Sequence, residues 1–399
     1  MNRLDPDAIL GLMTKFRADS AATKVDLGVG VFRDMSGNTP ILDCVRRAER
    51  DVLAAQTTKS YVGPAGREEF NAAVEELVLG STHRARIDRR ARTVQAPGGC
   101  GAVRLGAELI RAATPAATVY VSDPTWGNHI PLLGSSGLRL ERYPYYHAAL
   151  HQLRFAAMLE RLDRAAAGDV VLLHACCHNP TGADLRLDQW RDLIEVLERR
   201  RLVPFLDLAY QGFGEDLSAD VAGLRLVAEK LPEVLIATSF SKNLGLYRER
   251  VGALIVIADS DARADVAKSH VLQIARGIYS MPPDHGAAIA ARIFGDAGLR
   301  ASWIAELAAM RGRMQDMRAL LAAELCKVTG DDSFDFIRGQ HGMFSLLGVP
   351  KDVVDRLRDH HHIYMLGDSR MNLAGITPQN AAYVASSIAS ARSALAQTA

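Results

Sequence analysis

The chain lacks the features that would tie it to a membrane, a nucleic acid or an oxidising compartment. No apolar run in its 399 residues approaches the ~20 needed to cross a bilayer. Charge of one sign is missing too: 47 basic residues against 46 acidic ones leave a net charge of +1. That balance excludes partners recruited by bulk electrostatics, such as nucleic acid or an anionic membrane. Basic residues cluster only locally, over 84–92 and 198–201, and read as solvated helix ends. Cysteine is scarce. The five present (Cys44, Cys100, Cys176, Cys177 and Cys326) are odd in number and without framework spacing, which predicts reduced thiols and a cytoplasmic location. The N-terminus carries Asp5 and Asp7 and no continuous apolar core, so it does not read as a secretory signal. Internal repeats, low-complexity tracts and flexible linkers are absent as well.

What is there is the pattern of an α/β enzyme. Hydrophobic content of 48% with 23% charged residues is ordinary for a soluble globular protein. The length suits a large domain plus a smaller one. From about residue 40 to about 309, short apolar β-like runs alternate with helical patterns, the signature of a mostly parallel sheet wrapped by helices. Strands are expected at 93–96, 118–121, 170–175, 203–207, 234–238 and 253–257. Helices are expected at 102–112, 187–199 and 299–325. A large domain over 40–309 leaves residues 1–39 and 310–399 for one small domain built from both termini.

Ligands of open α/β sheets sit at the carboxyl ends of the strands, and several ends here carry unusual polar groups. The segment 239–250, SFSKNLGLYRER, lies between two buried runs. It offers two serines, Lys242 and Arg250, the hydroxyl and guanidinium donors that a phosphate needs beside a reactive amine. An amine held next to a phosphate suggests a Schiff base with a phosphorylated aldehyde, pyridoxal phosphate. The bland alternative, a surface loop with ordinary charges, fits Lys242 alone but not the whole set. Residues 96–103, APGGCGAV, leave a strand and open a helix, where backbone N–H groups meet an anion at the positive helix end. This spacing is not the GxGxxG of a dinucleotide site. Asp207 ends a buried strand, a costly place for a carboxylate unless it meets a cation. That cation is either a cofactor ring nitrogen or a structural Arg or His. Trp126 is placed either to stack on a flat ring or to fill the core. Arg276 and Arg370 would suit a substrate with two carboxylates if they converge; otherwise they are surface salt bridges. His174, Cys176, Cys177 and His178 invite a zinc reading. Consecutive strand residues point to opposite faces, so the two cysteines are expected not to share a metal, and no metal site is expected. The histidine run 360–362 is expected to end a helix.

Taken together, these residues resemble the aspartate/aromatic amino-acid aminotransferases, the fold-type I pyridoxal-phosphate transferases. The likeness runs nearly end to end, from VDLGVGVF at 25–32 to the Arg370 motif. HNPTG, DLAYQGF and SFSKNLGLYRER are its most specific pieces. The resemblance implies a mostly parallel seven-stranded sheet flanked by helices, plus a small α/β domain, and a homodimer with shared active sites. It implies that Lys242 binds the cofactor and shuttles the proton, and that Asp207 keeps the ring nitrogen protonated with His129 and His174 behind it. Asn179 and Tyr210 would bond the ring oxygen, and Trp126 would stack on the ring. Gly99, Cys100, Ser239, Ser241 and Arg250 would hold the phosphate, together with Tyr61 of the neighbouring subunit. Arg370 would take the substrate α-carboxylate and the neighbour's Arg276 a distal one, with Gly30 and Phe344 lining the substrate side.

Two departures stand out from the family pattern. Cys100 occupies a position usually held by Thr or Ser, and Met281 stands where strict aspartate enzymes usually carry Asn. Met281 and its YSMPPDH context are similar to bacterial tyrosine/aromatic enzymes, so aromatic plus dicarboxylic substrates are expected. The alternatives are a strict aspartate aminotransferase, and then a β-decarboxylase or β-lyase on the same scaffold. A non-catalytic effector-binding module ranks last, because Lys242 is present.

Overall fold

The computed structural model describes residues 8–396, and Asp5 and Asp7 lie outside that range. Its centre is a seven-stranded sheet in the order Ala91–Pro97, Val251–Ile257, Val234–Ser239, Val203–Leu208, Val170–His174, Thr118–Asp123 and Arg139–Pro144. Val251–Ile257 runs antiparallel to both its neighbours; the other pairings are parallel. Six strands therefore end at one edge of the sheet, and the reversed strand begins there. This direction rule delivers the site. Residues that follow Pro97, Asp123, His174, Leu208 and Ser239, and the residue that precedes Val251, all arrive at the same edge.

The inner strands are near-continuous apolar runs because both faces are covered by helices. Alternate residues divide between two cores. Val170, Leu172, Phe205 and Leu235 pack on the face that carries helices Gly98–Ala113 and Asp261–Ile278. Val171, Leu173, Leu206 and Ile236 pack on the other, with helices Leu187–Arg200 and Ala222–Lys230. The two ends of the chain meet through short pairings. Val25–Asp26 lies parallel to Ile363–Tyr364, and Phe344–Leu346 lies antiparallel to Arg370–Asn372. The 33-residue helix Ala297–Thr329 begins where Asp296 accepts from the Gly298 and Leu299 N–H groups. It ends at Gly330, whose φ of 76° is the left-handed geometry that glycine tolerates.

The expected strands and helices are all present, with ends shifted by a few residues. The first helix starts at Gly98 rather than 102, because glycines at a helix start hide it from an apolar-periodicity reading. The edge strand Arg139–Pro144 was not expected: its RLERYP sequence is charged and largely exposed. Arg92 is no helix end. It sits on the strand Ala91–Pro97 and pairs with Asp261 and Asp265. The helix Lys351–His361 does stop at the histidine run, with His362 at φ 51°.

Candidate active site

The strand edge opens into a cavity of about 200 Å³. Gly30, Gly99, Cys100, Trp126, His174, Asn179, Asp207, Tyr210, Ser239, Ser241, Lys242, Arg250, Phe344 and Arg370 all line it. Ile9 and Ala209 line it as well, and neither was expected. Ile9 belongs to helix Ala8–Ala18 and carries no motif, so only the folded chain could place it. Ala209 sits between Asp207 and Tyr210, and its position could have been inferred from theirs.

One end of the cavity suits a phosphate. Gly98 takes φ +71°, and a Cβ there would lie 2.4 Å from Nη2 of Arg250. A Cβ on Gly99 reaches 3.1 Å from Cβ of Ser239. The helix start and the serine–arginine loop therefore touch only because these residues lack side chains. Ser239 Oγ and Ser241 Oγ are 3.3 Å apart, and Arg250 Nη1 donates to Ser241 Oγ at 3.3 Å and to the Tyr247 carbonyl at 3.1 Å. Cys100 lies beside them and accepts from Asn128 Nδ2 at 3.5 Å.

Asp207 forms the floor. Its Oδ2 lies 3.0 Å from Nε2 of His129, whose Nδ1 is 2.8 Å from Thr125 Oγ1. Burial opposes ionisation of Asp207. The hydrogen bond and electrostatic pull of His129 outweigh it, so the carboxyl sits below its ordinary range. Burial lowers the Lys242 ammonium, only partly offset by Asp207, and Arg250 and Arg370 push the same way as burial. The amine is thus biased towards its neutral, nucleophilic form. Its Nζ sits 5.1 Å from the centroid of the Tyr210 ring.

The opposite end is built around Arg370, which is 3% exposed. It donates to Asn179 Oδ1 at 3.1 Å and to the Gly28 carbonyl at 2.8 Å, and its guanidinium lies 4.3 Å from the Phe344 ring centroid. Its Nε has no partner. Among the described residues no carboxylate lies within salt-bridge distance of Lys242, Arg250 or Arg370, so three basic side chains face the cavity without an acidic partner.

Three of the expected residues lie off the cavity in the single chain. Tyr61 is 89% exposed, and Arg276 is exposed at the end of helix Asp261–Ile278, where it bonds Ser280. His129 is fully buried behind Asp207. Met281 is half-buried and does not line the cavity.

Cys176 and Cys177 do not point apart. The strand ends at His174, and Cys177 turns left-handed at φ 51°, so both sulfurs and the Asp220 carboxylate lie within 4.8 Å of one another. Two of the three already have partners. The Cys177 thiol faces the Tyr210 carbonyl at 3.9 Å, and Asp220 accepts from the Gly212, Gly214 and Glu215 N–H groups.

A row of rings backs the site. His129 and His174 are 5.1 Å apart, His174 and His178 4.1 Å, and Tyr145 stacks on His178 at 4.0 Å. Among the described residues, neither ring nitrogen of His174 has a partner. Burial, reinforced by neighbouring His129, lowers the His174 imidazole from 6.5 to about 3, and burial holds His178 well below 6.5. Each therefore takes up a proton on unfolding in mildly acidic solution. Stability is complete above pH 6.5 and falls as pH falls, by about 1.4 kcal/mol per pH unit for each such histidine. Urea unfolding between about pH 6.5 and about pH 5 should show this slope, and His174→Phe should remove one histidine's share. An unchanged slope in that variant would count against the assignment.

The chain matches the model of the aminotransferase class I and II family over residues 22–388. It is 46% identical to the aromatic-amino-acid aminotransferase of Paracoccus denitrificans, over 93% of each chain. It is 44% identical to the aspartate aminotransferase of Escherichia coli strain K12, over 94% of this chain and 95% of that one. Among solved structures it superposes with a TM-score of 0.95 on an aromatic amino acid aminotransferase with 3-indolebutyric acid, at 44% identity and 98% coverage of both chains. The aromatic-amino-acid aminotransferase of Burkholderia pseudomallei, covalently bound to pyridoxal phosphate, also gives 0.95, at 42% identity and 98% coverage of both. A family model that covers most of the chain and relatives above 40% identical over more than nine-tenths of it place this chain in the class I and II aminotransferases.

Proposed function

We propose that the protein transfers amino groups between aromatic or dicarboxylic amino acids and 2-oxo acids, with pyridoxal 5'-phosphate as its cofactor. The observation that carries this reading is the cavity in which Lys242, Arg250 and Arg370 face inward without carboxylate partners while Asp207 lies ionised on the floor. The donor set fits the cofactor at both ends. Ser239, Ser241, Arg250 and the N–H groups of Gly99 and Cys100 would take the phosphate, joined by Tyr61 of a second copy. Asp207 would hold the proton on the ring nitrogen, Asn179 and Tyr210 would bond the ring oxygen, and Trp126 would cover the ring.

When bound, the cofactor supplies an electrophilic carbonyl and a cationic ring that withdraws electrons from the substrate Cα–H bond. The protein does the rest. Lys242 would hold the group and, once free of it, would carry the Cα proton as base and acid. Asp207, kept ionised by its histidine, makes the ring a better electron acceptor. Arg370 grips the α-carboxylate and fixes the Cα–H bond towards Lys242. Phe344 and Gly30 border that subsite, and a second copy's Arg276 would meet a distal carboxylate. His129 and His174 support the floor from behind.

The substrate preference rests on Met281, an apolar and flexible residue near Arg276 in sequence. Mixing the purified protein separately with aspartate, tyrosine, phenylalanine and tryptophan, and following the cofactor's visible absorption, tests it. Conversion by aspartate and by at least one aromatic is expected. Fast conversion by aspartate alone would leave the strict aspartate enzyme as the answer, and amino-acid consumption without a matching 2-oxo acid would favour a β-lyase or β-decarboxylase. The same preparation should sediment at twice 43.3 kDa, because Tyr61 and Arg276 reach no cavity in the single chain; a monomer would refute the shared site. The division into a large unit over 40–309 and a small one from 1–39 and 310–399 is proposed on the pairing of Val25–Asp26 with Ile363–Tyr364. Five free thiols support a cytoplasmic setting, and no helix among the described residues is long and apolar enough to cross a membrane.

A further inference from the structure

Arg318 is a guanidinium buried to 1% exposure on the helix Ala297–Thr329, with no carboxylate in salt-bridge distance among the described residues. A charge in that position is costly unless every donor is used. Here the donors converge on one short segment. Nη1 donates to the Ile337 carbonyl at 3.2 Å and to Ser345 Oγ at 2.6 Å. Nη2 donates to the carbonyls of His341, Gly342 and Phe344 at 3.0, 2.9 and 2.6 Å. Ser345 Oγ in turn donates to Gln340 Oε1 at 2.6 Å. Burial brings the guanidinium down to about 10, still charged at neutral pH.

The segment so gathered is a wall of the active site. His341 N–H donates to the Gly182 carbonyl at 2.7 Å, and a Cβ on Gly182 would lie 2.4 Å from the Phe344 carbonyl oxygen. A Cβ on Gly342 would lie 2.5 Å from that of Cys177. The segment therefore sits flush on the turn that carries Asn179. Phe344 pairs with Asn372, and Leu346 with Arg370, in the two-stranded ribbon. The Phe344 ring covers Arg370, and Asn179 bonds it.

We propose that Arg318 is a positioning residue for substrate binding: by gathering the carbonyls of residues 337–344, it sets the Phe344 wall and the ribbon that hold Arg370 ready for the substrate carboxylate. Its reach is specific. The α-carboxylate is common to every amino-acid and 2-oxo-acid substrate, so loosening its subsite must weaken all of them alike. The phosphate cup and Asp207 lie at the other strand ends, outside the segment that Arg318 orders. This inference rests on the reading of Arg370 as the α-carboxylate site.

The test uses the full-length, cofactor-loaded enzyme. Arg318→Met should raise KM for aspartate, for an aromatic amino acid and for the 2-oxo acid by a common factor of about tenfold, with kcat within about threefold and the bound cofactor's absorption unchanged. Arg318→Lys keeps the charge but replaces a planar five-donor fork with three donors, so it should give a smaller rise of the same kind. It also serves as the test if the Met variant does not fold. Unchanged KM in both variants, a fall in kcat alone, or an effect on one substrate class only would overturn the proposal. Arg370→Ala separates the two ideas. If it leaves KM unchanged, the carboxylate reading fails and the inference falls with it. If it raises KM while both Arg318 variants do not, only the inference fails.

Discussion

Lys242→Ala is expected to lower turnover by about 10⁴-fold or more, because in the proposed mechanism it removes both the cofactor's anchor and the group that moves the Cα proton. Neither arginine in the cavity nor His174 can stand in. Arg250 and Arg370 are guanidiniums and do not give up a proton at working pH. His174 lies on the cavity wall, yet its imidazole is lowered to about 3 by burial and by His129, which makes it a poor proton carrier. The loss should come with little change in the fold, since Lys242 makes no salt bridge and its Nζ meets the Tyr210 ring only at 5.1 Å. Turnover with an amino acid and a 2-oxo acid gives the rate. Borohydride reduction and peptide mapping should label position 242 in the parent protein and not in the variant. Turnover within tenfold of the parent, or a label elsewhere, would remove the basis of the mechanism.

Asp207→Ala should lower turnover by about 10³-fold while leaving the cofactor bound. In the proposed arrangement the phosphate would use the Gly99, Ser239 and Arg250 end of the cavity, whereas Asp207 would act on the ring nitrogen alone. Its carboxyl is a strong anion here despite being 6% exposed, because the hydrogen bond and electrostatic pull of His129 overcome the penalty of burial. Without it the ring loses the partner that keeps it protonated, and its pull on the Cα–H bond weakens. The variant also leaves His129 Nε2 buried without its acceptor, at a cost of about 1–3 kcal/mol in stability. Rate and stability must therefore be read separately, with cofactor absorption as the link. Near-normal turnover with cofactor bound would show that Asp207 is structural.

The sequence made the sheet legible because buried parallel strands are apolar on both faces and stand out as short runs. It missed Arg139–Pro144, an edge strand in which Arg139, Glu141 and Arg142 are exposed and break up the short apolar run that marks the inner strands. It made legible that Gly99, Ser239, Ser241 and Arg250 gather at one place, because each lies at the end of a strand and strand ends meet at one edge of the sheet. It misjudged Cys176 and Cys177 by assuming that the strand continued, when one left-handed residue, Cys177, was enough to bring the sulfurs together. Arg318 passed unnoticed. It reads as one more arginine on a long helix until folding surrounds it with carbonyls.

By itself the sequence determined which chemistry this protein carries, since side-chain type and order along the chain are local facts: a lysine between serines and an arginine, an aspartate closing an apolar run, an amide before Pro-Thr-Gly. Only the tertiary structure decided that these groups share a cavity, and that Ile9 and Phe344 come from the two ends of the chain to border it. The reason is strand direction. Six strands run one way and Val251–Ile257 runs back, so Arg250 arrives at the same edge as Lys242, and nothing short of the hydrogen-bonded sheet fixes that.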